Sequence, residues 1–404
     1  MTLREGERRA VMSPLRAMLV LGALEAFGPL SMDLYLPQLP HLAESLGASD
    51  ALAQATMSAC MLGLGLGQLI AGPLSDRYGR RRPLLVGVAA FALLSLVCAV
   101  APTVEVLLAA RALQGIAGSA GIVIALAVAR DLYSGAELSR MLSLLLLVSG
   151  SAPVVAPLIG GQLARVMDWR GVFGVLAAIG VGLLAVVLFA LPESLEPARR
   201  HAGGMRSLGG HLAVVSRDRL FVSVLVAAMF GGAAFFTYLS MSSFVLEDRF
   251  GLTPQQFSLV FALNALASIA GGQLSRVLVR RTGPLRIYLA GATASALVAA
   301  AAFAGSLIGI GLAALVASLA VFLFASGLGG PNGSTLALAH HGARAGTAAA
   351  FLGFGQFALG PLIAPLVSLH GTTALTMTAT MAAASAIALV VAWTAVRPAA
   401  RAAD

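Results

Sequence analysis

The chain has 404 residues, 59% of them hydrophobic and 11% charged, where a soluble protein carries about 25% charged residues. Its 26 basic residues are all arginines, and the net charge of +9 falls in short segments between long apolar runs. That pattern excludes a soluble globular domain, argues for membrane orientation over nucleic-acid binding, and describes a polytopic membrane protein.

The first run, Pro14 to Pro37, is long enough to cross a bilayer yet holds two acids, Glu25 and Asp33. An ionised acid near the centre of a spanning helix costs about 2.5–3.5 kcal/mol. Each Leu, Val or Phe returns about 0.3–0.6 kcal/mol. The nine such residues here barely offset two charges. The acids therefore need a water-filled cavity, a cationic partner or a bound proton. At 3.6 residues per turn they lie roughly 80° apart in azimuth and about 12 Å apart along the axis, so one cavity can hold both at two depths. The run is Pro-flanked and lacks a small-residue cleavage site, so it is expected to remain as a membrane helix.

Twelve runs of spanning length follow the chain, at 14–36, 51–71, 83–101, 105–128, 139–163, 170–191, 219–244, 256–277, 284–304, 307–330, 346–369 and 374–395. With the N-terminus inside, 22 arginines fall in inner segments, only Arg165, Arg170 and Arg249 fall outside, and Arg111 lies within a run. This bias predicts that both termini are cytoplasmic. Residues 192–218, with Pro192, Pro197 and the pairs Gly203-Gly204 and Gly209-Gly210, read as a flexible cytoplasmic linker between units 1–191 and 219–404. GPLSDRYGRRR (72–82) and GQLSRVLVRRT (272–282) match two hundred residues apart, and runs 5 and 11 also look alike. The predicted fold is therefore all-α, with twelve transmembrane helices in two pseudo-symmetric six-helix bundles.

The 2–3 loop carries the most specific chemistry. Gly79 permits a tight reversal, and Asp76 can cap a helix or pair with arginine. Gly72, Leu74, Asp76, Arg77, Gly79, Arg80 and Arg81 resemble the signature loop of the major facilitator superfamily, G-x-L-x-D-R-x-G-R-R. The resemblance implies a conformational latch, which in that family holds the two halves in the outward-facing state. Its Asp and Arg contact an acid at the end of helix 4, a position filled here by Asp131. Arg276 stands where the first copy has Asp76, so the latch should be asymmetric.

In run 4, Arg111, Gln114, Gly115, Gly118 and Ser119 share a face. Arg111 lies about 9 Å from the outer end, a depth near that of Asp33, which makes it a candidate cationic partner; the other reading is an arginine snorkelling to headgroups. RALQG also resembles the family's R-x-x-Q-G motif, linked there to proton transfer. In run 5, small residues and Pro153 and Pro157 favour close packing and bending. Pro157, Gly160 and Gly161 also match the drug/proton antiporter motif G-x-x-x-G-P-x-x-G-G, with Ala156 in place of its second Gly. SMDLYLP (31–37) and AGTAAAFLGFGQF (345–357) resemble the Bcr/CflA drug-resistance family of bicyclomycin- and chloramphenicol-type exporters. The pair Glu25/Asp33 with Arg111 is similar to the acids of MdfA-type multidrug/proton antiporters.

Run 7 concentrates Met229, Phe230, Phe235, Phe236, Tyr238, Met241 and Phe244, a stripe suited to lipid contact, to packing or to an adaptable drug pocket. Tyr35, Asn264, Asn332 and Gln356 could bond either a neighbouring helix or a substrate. The histidines, His41, His201, His211, His340, His341 and His370, fall in loops or helix ends without metal spacing, and Cys60 and Cys98 read as core packing. No Walker-type phosphate loop is present.

The leading expectation is a proton-coupled exporter of small lipophilic drugs in a bacterial cytoplasmic membrane, with Glu25, Asp33 and Arg111 coupling proton to cargo. It would need no cofactor or metal besides the proton and no nucleic-acid partner, and it would act as a monomer. The alternative within the family is an importer of a nutrient or metabolite, which the helix-5 motif argues against. An intramembrane enzyme would need a nucleophile–base or metal constellation that the runs do not contain.

Overall fold

A computed structural model describes residues 14–197, 200, 214–341 and 345–403. Among the described residues, twelve helices are long and apolar enough to span a membrane: α1 (Leu15–Ser45), α2 (Asp50–Tyr78), α3 (Arg81–Ala99), α4 (Val104–Leu132), α5 (Arg140–Leu163), α6 (Trp169–Ala190), α7 (Arg219–Arg249), α8 (Pro254–Thr282), α9 (Pro284–Leu307), α10 (Leu312–Leu338), α11 (Ala348–Ser368) and α12 (Ala374–Ala402). An even number of crossings puts the start of α1 and the end of α12 on one side, called here the terminal face. Helix is the only open structure that satisfies every backbone group in lipid. Several helices run past the ends of their apolar runs, and several helix starts are capped by side chains. Ser49 accepts from the Leu52 amide, Asp168 from Gly171, Asp218 from Leu220 and Phe221, and Thr253 forms a capping box with Gln256.

The six-helix repeat is visible in detail. α2 and α8 are both 29 residues long and end at glycines of nearly the same conformation, Gly79 (φ 88°, ψ 165°) and Gly283 (φ 79°, ψ 160°). Their starts, Asp50 and Pro254, stand at the same separation as these two glycines. The structural register is thus one helical turn longer than the two-hundred-residue letter match between the 2–3 and 8–9 loops. That match paired residues on similar faces but at different heights. Within each half the tightest packing uses glycine. A Cβ at Gly115 (α4) would strike the Cys60 carbonyl of α2, and one at Gly327 (α10) the Ser268 carbonyl of α8. Lipid-facing positions such as Leu19, Val86, Leu93, Phe189 and Leu297 remain exposed.

The halves meet at the face opposite the termini. There Gln54 Nε2 (α2) donates to Thr372 Oγ1 (3.3 Å), and Ser368 Oγ (α11) donates to Gln54 Oε1 (2.9 Å). Gln255 Nε2 (α8) donates to the Gly161 carbonyl of α5 at 2.8 Å. A single core of buried residues runs across both halves at this level. α1 is broken here: a helix over Pro14–Asp33 gives way to a 3-10 turn, Leu36–Gln38, and a short helix, Leu39–Ser45. Pro37 and Pro40 lack the amides a continuous helix needs.

The ends of the 192–218 segment are less free than its composition predicts. Leu195 and Val215 are buried, and Glu193 and Ser194 bond the 2–3 loop and α4. Gly203, Gly204, Gly209 and Gly210 lie outside the described residues, as do His201, His211 and the arginines at 4, 8, 9, 199, 206 and 344.

Candidate transport cavity

A cavity of about 400 Å³ lies between the halves. Glu25 and Asp33 both line it, with Met32 and Pro29 from α1, Gln68 from α2, and Ser149 and Pro153 from α5. Across from them stand Phe235 and Tyr238 (α7), Phe261 (α8), and Phe354 and Phe357 (α11). The two carboxylates are therefore set at two depths of one chamber, on a wall whose other polar groups include Gln68 and Ser149, and they face an aromatic wall. Glu25 Oε1 accepts from Ser149 Oγ at 2.9 Å, while its buried Oε2 has no hydrogen-bond partner. Neither acid forms an ion pair among the described residues.

Arg111 does not pair with Asp33, nor does it snorkel. It is fully buried. Its Nη1 donates to Gln114 Oε1 at 2.6 Å, and its guanidinium carbon lies 4.7 Å from the Tyr35 ring centre and 5.4 Å from that of Phe173. Gln114 Nε2 donates onward to Ser95 Oγ at 2.7 Å. Arg111 faces Gln114, Tyr35 and Phe173, whereas Asp33 lines the chamber. Tyr35 stands two residues after Asp33, beyond the end of the Pro14–Asp33 helix. With Tyr35 turned to α4, Asp33 turns to the chamber.

Among the expected cavity residues, the structure places Phe235 and Tyr238 on the chamber wall. Gln356 lines a second cavity of about 320 Å³ within the C-terminal half, which shares Phe235, Ser268 and Phe357 with the first and is lined by no charged residue. The other five are absent from both linings. Tyr35 shares a hydrogen bond with Thr56, and Gln114 belongs to the Arg111 group. Phe236 packs where α7 meets Gly360 of α11. Asn264 Nδ2 donates to the Tyr238 hydroxyl at 3.2 Å, behind the wall, and Asn332 Nδ2 donates to Ser275 Oγ at 2.7 Å, joining α10 to α8. Apart from Phe236, each is a polar side chain that found a helix partner in an apolar medium. Sequence reasoning missed Ser149, Gln68, Phe354 and Phe357; the last two lie inside the 345–357 stretch already singled out.

The helix-5 glycines sit at the seal. A Cβ on Gly160 would meet the Leu34 carbonyl of α1, and one on Gly161 would meet Ser258 Oγ and the Pro254 carbonyl of α8. α5 is thereby held against both halves. Pro157 is buried and Pro153 faces the chamber.

At the terminal face, Arg80 rather than Arg77 is the hub of the 2–3 loop. Its Nε donates to Asp131 Oδ2 at 2.9 Å, and its Nη1 donates to Asp76 and to Ser75. Burial works against its charge, but the bonds to Asp131 and Asp76 outweigh that and raise its pKa. Glu193 takes the backbone amides of Arg80 (2.8 Å) and Arg81 (3.2 Å), capping α3. Gly79 abuts the same carboxylate. Arg77 lies over the Tyr78 ring, and the Asp76 side chain is half exposed. The loop is thus tied to its own half and to the start of the linker, while the halves are joined at the opposite face. In the 8–9 loop Arg276 Nη1 donates to Gln273, and no carboxylate holds it among the described ion pairs.

The Major Facilitator Superfamily profile matches residues 21–365. The chain belongs to that superfamily. It is 38% identical over 369 residues to an "Uncharacterized MFS-type transporter YdgK" of Bacillus subtilis, covering 90% of both chains. It is 30% identical over 375 residues to a "Bicyclomycin resistance protein homolog" of Haemophilus influenzae, covering 92% of this chain and 94% of that one. Among solved structures, a peptide transporter POT superposes with a TM-score of 0.75 at 18% identity over 96% of this chain and 94% of that one, a likeness of fold alone. Twelve spans and this membership make the chain a multi-pass transporter of the bacterial cytoplasmic membrane.

Proposed function

We propose that the chain is a proton-coupled exporter of small lipophilic drugs. The observation that carries the reading is the pair Glu25 and Asp33 in a chamber between two halves, with no cation bonded to either and an aromatic wall opposite. A carboxylate left without a counter-charge in such a place holds either a proton or a cargo with a positive or dipolar group. Competition between the two couples them, and rocking of the halves about the fixed chamber moves the cargo. The resistance protein among its relatives supports a drug cargo over a nutrient. The arginine bias supports a cytoplasmic terminal face. On that orientation the sealed face looks outward, and cargo enters the chamber from the cytoplasm. Arg111 acts from behind the wall, holding Tyr35 and the kinked end of α1, rather than as a direct partner of Asp33. The aromatic rings of the chamber suit planar apolar cargo. The protein works as a monomer with the proton as its only coupling ion.

The test is drug efflux from proteoliposomes under an imposed pH gradient. Asp33→Asn is expected to abolish gradient-driven efflux, and Glu25→Gln to lower it at least tenfold. Unchanged rates in both variants overturn the assignment. Gradient-driven uptake into right-side-out vesicles would favour the importer reading.

A further inference from the structure

α7 does not stop with its apolar run. It continues through a π-helical turn, Phe244–Arg249, that packs against the Leu39–Ser45 helix of the other half at the sealed face. Glu247 in this turn is 7% exposed, and among the described residues neither of its carboxylate oxygens has a hydrogen-bond partner. Its neighbours Phe244, Val245 and Leu246 belong to the apolar core that crosses both halves. Glu247 is no part of the transport chamber described above.

A buried carboxylate with no donor and no cation is costly when ionised. The charged groups around the turn do not supply the missing partner. His41 and Glu44 lie on Leu39–Ser45 and line a cavity with Arg165 and Asp168 of the α5–α6 connection, Asp50 begins α2, and Asp248 and Arg249 follow Glu247 in the turn. Arg249 Nε is turned to the Thr372 carbonyl, in the connection that also carries His370. The first turn of α8, Pro254-Gln255-Gln256, carries no charge. The nearest of these charged groups in the chain, Asp248, adds a second negative charge in the same turn.

We propose that Glu247 is a positioning residue for the transport cycle: its carboxyl must take up a proton from the face opposite the termini before the two halves can close there. The proton forms an O–H bond on Glu247 as the turn docks on Leu39–Ser45 and returns to the same face when the halves part and water reaches the group. It is not carried across, so it adds nothing to the transported stoichiometry. It makes closure easier at low pH on that face, the side from which an antiporter receives its driving protons. The inference rests on alternating access of the two halves and not on the identity of the cargo.

The experiment reads the width of this face by spin-label distances between cysteines introduced at Ala48 and Leu369, in lipid and without drug, from pH 5 to 9. The native Cys60 and Cys98 are buried. The ratio of closed to open is expected to fall tenfold per pH unit above a midpoint in the wild type. Glu247→Gln is expected to stay closed throughout, and Glu247→Asp to keep a titration with a displaced midpoint. The titration is expected to persist in the Glu25→Gln/Asp33→Asn double variant, in which drug efflux is lost, so failure of the exporter reading and failure of this one are distinguishable. A wild type whose distances ignore pH, a Glu247→Gln variant that titrates like the wild type, or a titration lost in the double variant would overturn the proposal.

Discussion

Gln54 offers the most direct test of how the sealed face is held. It is fully buried in α2 and spends both ends of its amide on the other half, donating to Thr372 and accepting from Ser368. Those bonds exist only while the halves touch, so they weigh on the equilibrium between closed and open more than on folding. Replacing Gln54 with Leu keeps the side-chain bulk and removes both bonds. A buried neutral hydrogen bond contributes about 1 kcal/mol net, and two contribute about 2 kcal/mol. At 1.4 kcal/mol per factor of ten, the closed-to-open ratio should fall roughly 30-fold. The spin-label pair at Ala48 and Leu369 reads this as a longer-distance population that grows at fixed pH. Thermal stability in detergent should change little, since each half keeps its own packing. An unchanged distance distribution would refute the reasoning. So would a large loss of stability without opening, which would mean that Gln54 supports the fold of its own half instead.

Gly161→Ala should shift the same equilibrium in the same direction, because its Cβ would run into Ser258 Oγ and the Pro254 carbonyl; closure at wild-type levels would show that α8 yields without cost. Gly79→Ala should destabilise the N-terminal half by about 2 kcal/mol, through strain at φ 88° and displacement of the Glu193 cap. An unchanged melting temperature in detergent counts against that. Arg111→Lys should cost about 1 kcal/mol of stability although it keeps the charge, because an ammonium cannot lie over Tyr35 and Phe173 and also reach Gln114; a fully stable variant would show that charge alone is what the site needs.

What the sequence made legible was whatever lipid imposes on every residue. Twelve runs and a six-helix repeat follow from hydropathy and turn chemistry, and the structure adds the capped ends, the break in α1 and a register one turn longer. The two acids of α1 were legible for the same reason: a charge in an apolar run has few places to go, and the chamber is one of them. Partners were harder to read. Depth along a helix follows from counting, but azimuth depends on how each helix is rolled by its neighbours, and the break after Asp33 changes that roll. Hence Arg111 was given the wrong companion. Glu193 and Glu247 escaped notice because each stands at the edge of an apolar run, where an acid looks solvated. Only the packing of a distant segment shows otherwise: the N-terminus of α3 in the first case, and in the second the Leu39–Ser45 helix, which lies next to Glu247 only because α1 is kinked by its prolines. The same kink turns Tyr35 to Arg111, leaves Asp33 on the chamber wall and carries Leu39–Ser45 across to the other half. A substitution that straightened α1 is therefore expected to disturb the chamber and the seal together.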